Sequence, residues 1–253
     1  MTAPIDLNCD LGEGFGAWSM GDDAGLLAVV SSANVACGFH GGDPTIMRTI
    51  CEMAAARGIA VGAHVGYRDL AGFGRREIAM PATQLTDDVL YQLAALDGIA
   101  RVAGTRVRYV KPHGALYNTI VRDAEQAAAV VDAVRAYDPS LAILGLPGSE
   151  VLRIADVHGL PTVVEAFGDR AYHADGRLVS RRRPGALVTD PDEVAARCLQ
   201  LVTTGQLTSI EGDPVAVRAR SFCVHGDTPG AVELLRRTRE VLTENGVPIA
   251  AFA

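Results

Sequence analysis

The sequence predicts an α/β fold: a single (β/α) barrel over residues 1–253, seven-stranded and irregular. Three observations point there. Short apolar runs ending in glycine or polar clusters alternate with stretches of helical periodicity, the pattern of a mostly parallel sheet. The length of 253 residues is near the roughly 250 at which such barrels close as one domain. Seven candidate strands joined by long loops suit an incomplete barrel better than a flat dinucleotide-binding sheet.

In chain order, the first apolar runs place strands at 4–10 and 31–38. Asp43-Pro44, an N-cap followed by proline at the first helical position, opens a helix over 44–57, and Gly58 is placed to end it. A strand at 59–64, a helix at 84–103 and a strand at 107–113 follow. Helices at 124–137, 148–158 and 192–204 alternate with strands at 141–146, 162–167 and 221–226. Thr228-Pro229 repeats the cap signal before a last helix at 230–245, closed by Gly246. Two connections exceed the usual few residues: Val65–Pro81, rich in glycine and arginine, and Gly168–Pro191, which carries Arg181-Arg182-Arg183. Long loops at strand C-terminal ends are where such folds place function.

Composition excludes several classes. With 49% hydrophobic and 21% charged residues, disordered, collagen-like and coiled-coil readings fail. No apolar run approaches the roughly 20 residues of a membrane helix. The first residues show neither a basic flank nor a signal-peptide core, so a cytoplasmic location is expected. A net charge of −7 argues against a general nucleic-acid surface. The five cysteines include no CxxC pair and are expected as reduced thiols. Of the 23 basic residues only Lys111 is lysine, which marks a place where a compact ammonium is wanted or a chance survivor of an arginine bias.

Alternate strand residues share a side. The first strand therefore groups Asp6, Asn8 and Asp10 against Leu7, Cys9 and Leu11. The second groups Asn34 with His40 if it persists that far, the third ends at His64, and the fourth groups Tyr109, Lys111 and His113. Glu165 goes with Asp169, and His225 with Asp227. Six of seven strands thus carry ionisable or amide side chains at or just past their C-terminal ends, among them four of the six histidines. Burying that much charge without use is costly, so these ends are expected to converge on one site. Gly12-Glu13-Gly14-Phe15-Gly16 reads either as a backbone cradle for phosphate or as a plain tight turn, and it does not match GxGxxG; no GxxxxGK[ST] occurs. Gly72-Phe-Gly-Arg75-Arg76 reads equally as a lid with two anion-binding guanidiniums or as a solvated loop, and the Arg181–Arg183 run as a solvated face. Cys9, Cys37 and Cys223 are expected in the parity opposite to the polar groups, as small residues facing the helices. Without a GxSxG elbow, a serine-hydrolase reading has no support.

Seven motifs together carry a family resemblance: Asp6-Leu-Asn-Cys-Asp-Leu-Gly-Glu-Gly-Phe-Gly16, Asn34-Val-Ala-Cys-Gly-Phe-His-Gly-Gly-Asp-Pro44, Gly62-Ala-His-Val-Gly-Tyr-Arg-Asp69, Gly72-Phe-Gly-Arg-Arg76, Lys111-Pro-His-Gly-Ala-Leu-Tyr-Asn118, Glu165-Ala-Phe-Gly-Asp-Arg-Ala-Tyr172 and Cys223-Val-His-Gly-Asp-Thr-Pro229. They resemble the LamB/YcsF lactam-utilisation family, the A subunits of prokaryotic 5-oxoprolinase, over nearly the whole chain. The resemblance implies a barrel similar to the glycoside hydrolase/deacetylase superfamily. It also implies ATP-dependent opening of 5-oxoproline to L-glutamate, with Mg²⁺, ADP and phosphate, in a complex with subunits B and C; homo-oligomerisation stays open. Two departures occur: His64-Val65-Gly-Tyr-Arg68-Asp69 where the family usually reads His-Pro-Gly-Tyr-Pro-Asp, and Phe167-Gly168-Asp-Arg170 where it reads Phe-Ala-Asp-Arg.

A planar, unstrained lactam is a poor electrophile, and phosphorylating its carbonyl oxygen would open it to water. Under that resemblance Lys111 and Arg170 suit phosphoryl oxygens, Asp10, Glu13 and Asp43 suit Mg²⁺ or water activation, and His64, His113 or His225 suits proton donation to the ring nitrogen. Asn8, Asn34, His40, Arg75, Tyr117, Glu165, Asp169 and Asp227 complete the expected substrate or nucleotide contacts, with Asp43 and Arg170 shared between the roles. Two alternatives stand beside this. One is a divalent-metal amide hydrolase or deacetylase with Asp10, His40 and His64 as ligands. The other is a scaffold that binds the lactam while its partners do the chemistry.

Overall fold

In a computed structural model, which describes every residue except Met1, Thr2, Arg182, Asp227 and Pro229, seven parallel strands close into a barrel. They are β1 (Asp6–Leu11), β2 (Ser32–Ala36), β3 (Ala60–His64), β4 (Val107–Val110), β5 (Ala142–Gly145), β6 (Thr162–Phe167) and β9 (Ser221–Val224), in that order around the wall, with β9 returning to β1. The helices that cover the wall are α2 (Pro44–Arg57), α3 (Ala82–Val102), α5 (Ala124–Tyr137), α6 (Glu150–Val157), α7 (Pro191–Thr204) and α8 (Ala231–Glu244). None of the helices is long and apolar enough to cross a membrane among the described residues.

The expected elements are present with trimmed ends. Asp43 caps α2 by accepting from the amides of Thr45 and Ile46, and Gly58 ends it at φ 67°. The cap expected at Thr228 is not there: Gly230 is the N-cap of α8, Pro229 lies outside the described residues, and the Thr228 hydroxyl instead approaches Asp169 Oδ2 at 3.4 Å. The fourth strand stops at Val110, short of 113, although the Lys111 and His113 amides still donate to the Ala63 and Val65 carbonyls before the chain enters α4 (Gly114–Thr119).

Among the described residues, a short 3-10 turn at Leu70–Gly72 and four further elements are additional to the expected ones. Helices α1 (Asp23–Leu27) and α4 span five and six residues, under two turns, so periodicity has little to register. Strands β7 (Gln206–Thr208) and β8 (Pro214–Ala216) form a small antiparallel hairpin outside the barrel.

Alternation divides the sheet into two faces. Leu7, Cys9, Leu11, Val35, Val61 and Ala63 turn outward into the main apolar core beneath the helices. Inside the lower barrel, Tyr109, Ala142, Leu144 and Val163 pack with the C-terminal Ala251 and Phe252, and the Phe252 ring meets Tyr109 edge-on at 4.8 Å. The tail reaches that position by running beside β1, where Ile5 bonds the backbone of Pro248 and Ala250. The β3–β4 register shifts between Val61 and Gly62, so Tyr109 lies opposite Gly62. A side chain at Gly62 would overlap the Tyr109 ring, which is why this position takes no Cβ.

Candidate functional site

The inner face of β1 starts a hydrogen-bonded column that rises to the strand C-termini. At its base Asp6 accepts from Ser31 (2.6 Å), Ser32 (2.7 Å) and Ser221, and burial pushes its carboxyl above the ordinary value. One layer up, Asn34 Nδ2 donates to Asn8 Oδ1 (2.7 Å) and Asp10 Oδ1 (2.8 Å), while Asn34 Oδ1 accepts from the Tyr109 hydroxyl at 2.6 Å. Asn8 and Asn34 therefore lie under the site rather than facing the cleft, Asn34 orienting Asp10 and Asn8 holding Asn34 and Lys111.

Lys111 crowns the column. Its Nζ donates to Asp10 Oδ1 at 3.0 Å, Asn8 Oδ1 at 3.2 Å and Cys223 Sγ at 3.0 Å, and lies 3.3 Å from Glu165 Oε2. Burial opposes the ammonium, yet Asp10 and Glu165 hold its pKa well above the ordinary lysine value. Asp10 in turn sits well below the usual carboxylate range: burial works against it, and His64 and Lys111 outweigh that. Cys223 corrects the sequence reading. Its residue number shares the parity of His225, its side chain points into the barrel, and burial raises its thiol far above the ordinary value. Cys9 and Cys37 are buried; Cys9 lies on the outer face of β1, as expected.

Beside Asp10, the end of β3 and three loops bring His64, Glu13, His40 and His113 together with one ligand atom each within 4.8 Å of the others. Asp10, expected as a metal ligand, stands outside that group, and Glu13 and His113 join the expected His40 and His64. His64 Nδ1 contacts the Lys111 carbonyl (2.9 Å) and His113 Nε2 the Phe73 carbonyl (2.8 Å), so these two nitrogens carry the protons and donate. His64 Nε2 and His113 Nδ1 then face each other at 3.0 Å. His40 stacks flat on His113, with ring centroids 3.7 Å apart and planes 5° from parallel, and burial with the adjacent His113 lowers its pKa to about 3. Glu13 is held below the usual carboxylate range; burial opposes, and His113 and His40 prevail.

Opposite this cluster, Asp169 Oδ2 pairs with His225 Nδ1 at 2.8 Å, and the His225 ring stacks on Phe167 at 5.0 Å. The carboxylate fixes the imidazole and leaves Nε2 as its working nitrogen. Burial raises the Asp169 carboxyl, but His225 brings the net shift below the ordinary value.

These groups border a cleft of about 1040 Å³, lined among others by Asp10, Glu13, His64, Lys111, His113, Tyr117 and His225. Its outer wall carries Arg75, Arg122, Arg170 and Arg181. Arg170 is 7% exposed, donates to the Val179 carbonyl at 2.6 Å and keeps a buried Nε without a partner. Arg122 and Arg181 had no functional reading in the sequence; Arg181 leaves the expected solvated run to face the cleft, whereas Arg183 lies near Glu211 at 3.8 Å. Arg75 turns to the cleft over the Phe73 ring, and Arg76 turns away to pair with Asp69.

Two further expected contributors, Asp43 and Glu165, fall elsewhere. Asp43 is committed to capping α2 and to the Gly16 amide at 2.9 Å. Glu165 is fully buried behind Lys111. Asp227 lies outside the described residues. The Gly12–Gly16 segment is a tight turn: Gly12 N donates to Asp23 (3.0 Å), Gly16 N to Asp43, and Phe15 and Trp18 exchange backbone bonds.

Comparison with known proteins identifies the family and the fold. The sequence profile of the LamB/YcsF family matches residues 5–253. A protein of Streptomyces avermitilis, named as the A subunit of 5-oxoprolinase, is 59% identical over 249 residues, 98% of this chain and 100% of the relative. A Mycobacterium avium protein of the same name is 57% identical, covering 99% of both. The crystal structure of a lactam utilization protein from Thermus thermophilus superposes with a TM-score of 0.95 at 46% identity, over 99% of this chain and 100% of that one.

Proposed function

The chain belongs to the LamB/YcsF family, and from that premise we propose that it is the A component of a 5-oxoprolinase, opening 5-oxoproline to L-glutamate with hydrolysis of ATP to ADP and phosphate. The observation that carries the reading is the convergence of Asp10, Glu13, Lys111 and the His225–Asp169 pair on one cleft. Its volume of about 1040 Å³ exceeds what a five-membered lactam fills, and the remainder runs along Arg75, Arg170 and Arg181, which suits phosphoryl oxygens. Arg170, with its unpartnered buried Nε, takes the anion-facing role that the sequence also offered to Lys111.

Lys111 spends its donors on Asp10, Asn8 and Cys223. It acts by keeping Asp10 ionised and aimed, so that the carboxylate orients the attacking water or the Mg²⁺ that accompanies ATP. His225, oriented by Asp169, takes up at Nε2 the proton released by the attacking water and passes it to the ring nitrogen as the amide bond breaks. Tyr117 borders the lactam. Subunits B and C complete the working enzyme in the cytoplasm.

The test is reconstitution with the partner subunits, measuring glutamate and ADP together. Stoichiometric formation of both, lost by at least a hundredfold in His225→Asn, supports the assignment. Glutamate released at full rate without nucleotide overturns the ATP coupling. Full turnover of the assembled complex carrying His225→Asn moves the chemistry to the partners and leaves this chain a binding scaffold.

A further inference from the structure

We propose that Glu13 Oε1, His64 Nε2 and His113 Nδ1 form a three-ligand site for one divalent transition-metal ion of the Zn²⁺ class, with its fourth position open to the cleft. Three observations carry it, none of them dependent on the lactam reading.

The first is the direction of the lone pairs. Each imidazole gives its other N–H to a backbone carbonyl, His64 to Lys111 and His113 to Phe73. Both remaining lone pairs then point at the same volume, 3.0 Å from nitrogen to nitrogen. With both rings neutral the facing nitrogens repel, and either a shared proton or a metal ion between them relieves this; carbonyl-oriented imidazoles are how metal-binding histidines are fixed.

The second is distance. Bonds of about 2.0–2.2 Å in a tetrahedral arrangement set ligand atoms roughly 3.3–3.6 Å apart. Glu13 Oε1 lies 3.3 Å from His113 Nδ1 and 3.8 Å from His64 Nε2, so small rotations complete the set. The third is the state of Glu13 Oε1 itself, a buried carboxylate oxygen with no hydrogen-bond partner.

His40 is excluded as a fourth ligand by its own geometry. Its ring lies parallel to His113 with centroids 3.7 Å apart. In-plane lone pairs of two such rings run in parallel planes and cannot both meet one ion. His40 Nε2 instead flanks Glu13 Oε1 at 3.3 Å and positions the carboxylate. The three ligands border the cleft and His40 does not, which leaves the open position on the solvent side. Two nitrogen donors in three select against Mg²⁺, whose sites are built from oxygen.

The test uses the full chain, stripped with a chelator and free of lactam and nucleotide, so its failure and that of the proposed reaction are separable. Calorimetric titration with Zn²⁺ is expected to show one ion per chain, with affinity lowered at least tenfold in Glu13→Gln and in His113→Gln and unchanged in His158→Ala, a histidine on the exposed surface. Co²⁺ added to the unaltered protein is expected to give the visible bands of a four-coordinate imidazole–carboxylate site, which keeps the test decisive should a variant not fold. Binding at less than one ion per chain, Co²⁺ spectra of the hydrated ion, or full affinity in a folded Glu13→Gln/His113→Gln protein would each overturn the proposal.

Discussion

Strand β1 carries Leu7, Cys9 and Leu11 on one face and Asp6, Asn8 and Asp10 on the other, and the two faces meet opposite surroundings. Outward, the side chains press into aliphatic groups of the covering helices, where stability follows from area and fit. Inward, the same strand supplies a column of amides, hydroxyls and carboxylates whose members are nearly all bonded to one another. Such a column is conditional: each group is tolerable because its partner is present, and removing one leaves the other buried and unpaired. The apolar face tolerates change in proportion to the volume lost, whereas the polar face responds to which atom is lost.

The sharpest break comes from Lys111→Met. It leaves Asp10 and Glu165 without their ammonium, and we expect a loss of about 3–5 kcal/mol in denaturant unfolding. Lys111→Arg keeps the charge but not the compact three-way geometry, and is expected to fall between that and the unaltered protein. On the apolar face, Leu93→Ala in α3 opens a cavity in the packed core, at about 2–4 kcal/mol, with little effect on the pH dependence of stability. A loss under ~1 kcal/mol there would break the contrast between the faces.

Gly62→Ala sits where both faces are crowded. Its Cβ overlaps the Tyr109 ring, and about 1–3 kcal/mol is expected, partly recovered when Tyr109→Leu is added. A calorimetric melt of the single and double variants reads this directly.

Asp10 gives the comparison a pH axis. Its folded pKa is depressed, so its contribution is complete above the ordinary carboxylate range, near pH 4, and is lost as pH falls through the lower folded value. Stability of Asp10→Asn, followed by circular dichroism, should therefore fall less steeply than that of the unaltered protein below about pH 4. The smallest effect expected is Asp43→Ala, which removes the α2 cap at about 1 kcal/mol and leaves turnover of the reconstituted enzyme unchanged. A large drop in kcat from that change would return Asp43 to the site.

Period-two alternation was enough to place Asp6, Asn8 and Asp10 together, and the same rule read the polar strand ends as one convergent site. The family motifs named the loops that carry Glu13, His40 and His113. What escaped was of three kinds. Cys223 was set on the wrong side although 223 and 225 differ by two. Arg122 and Arg181 reach the cleft from segments with no periodicity to aim them. Asp43 is polar, acidic and within a motif, yet its oxygens are committed to backbone amides, a competition visible only in three dimensions.

Composition, alternation and end signals by themselves determined a mostly parallel α/β sheet of seven strands with polar residues at the strand C-terminal ends; closure of that sheet into a barrel was favoured by them and settled in three dimensions. The strands and their polar ends follow from local rules, because the side a residue faces in a strand depends only on its neighbours in the chain. Only the tertiary structure decided which polar groups pair. Lys111 meets Asp10 across 101 residues of sequence and Cys223 across 112, and Asn8 meets Ser221 across 213. Barrel closure brings β9 against β1, the register shift at Gly62 makes room for Tyr109, and the tail places Phe252 beneath it. Such contacts depend on how strands far apart in sequence register against one another, and no local pattern in the chain encodes that distance.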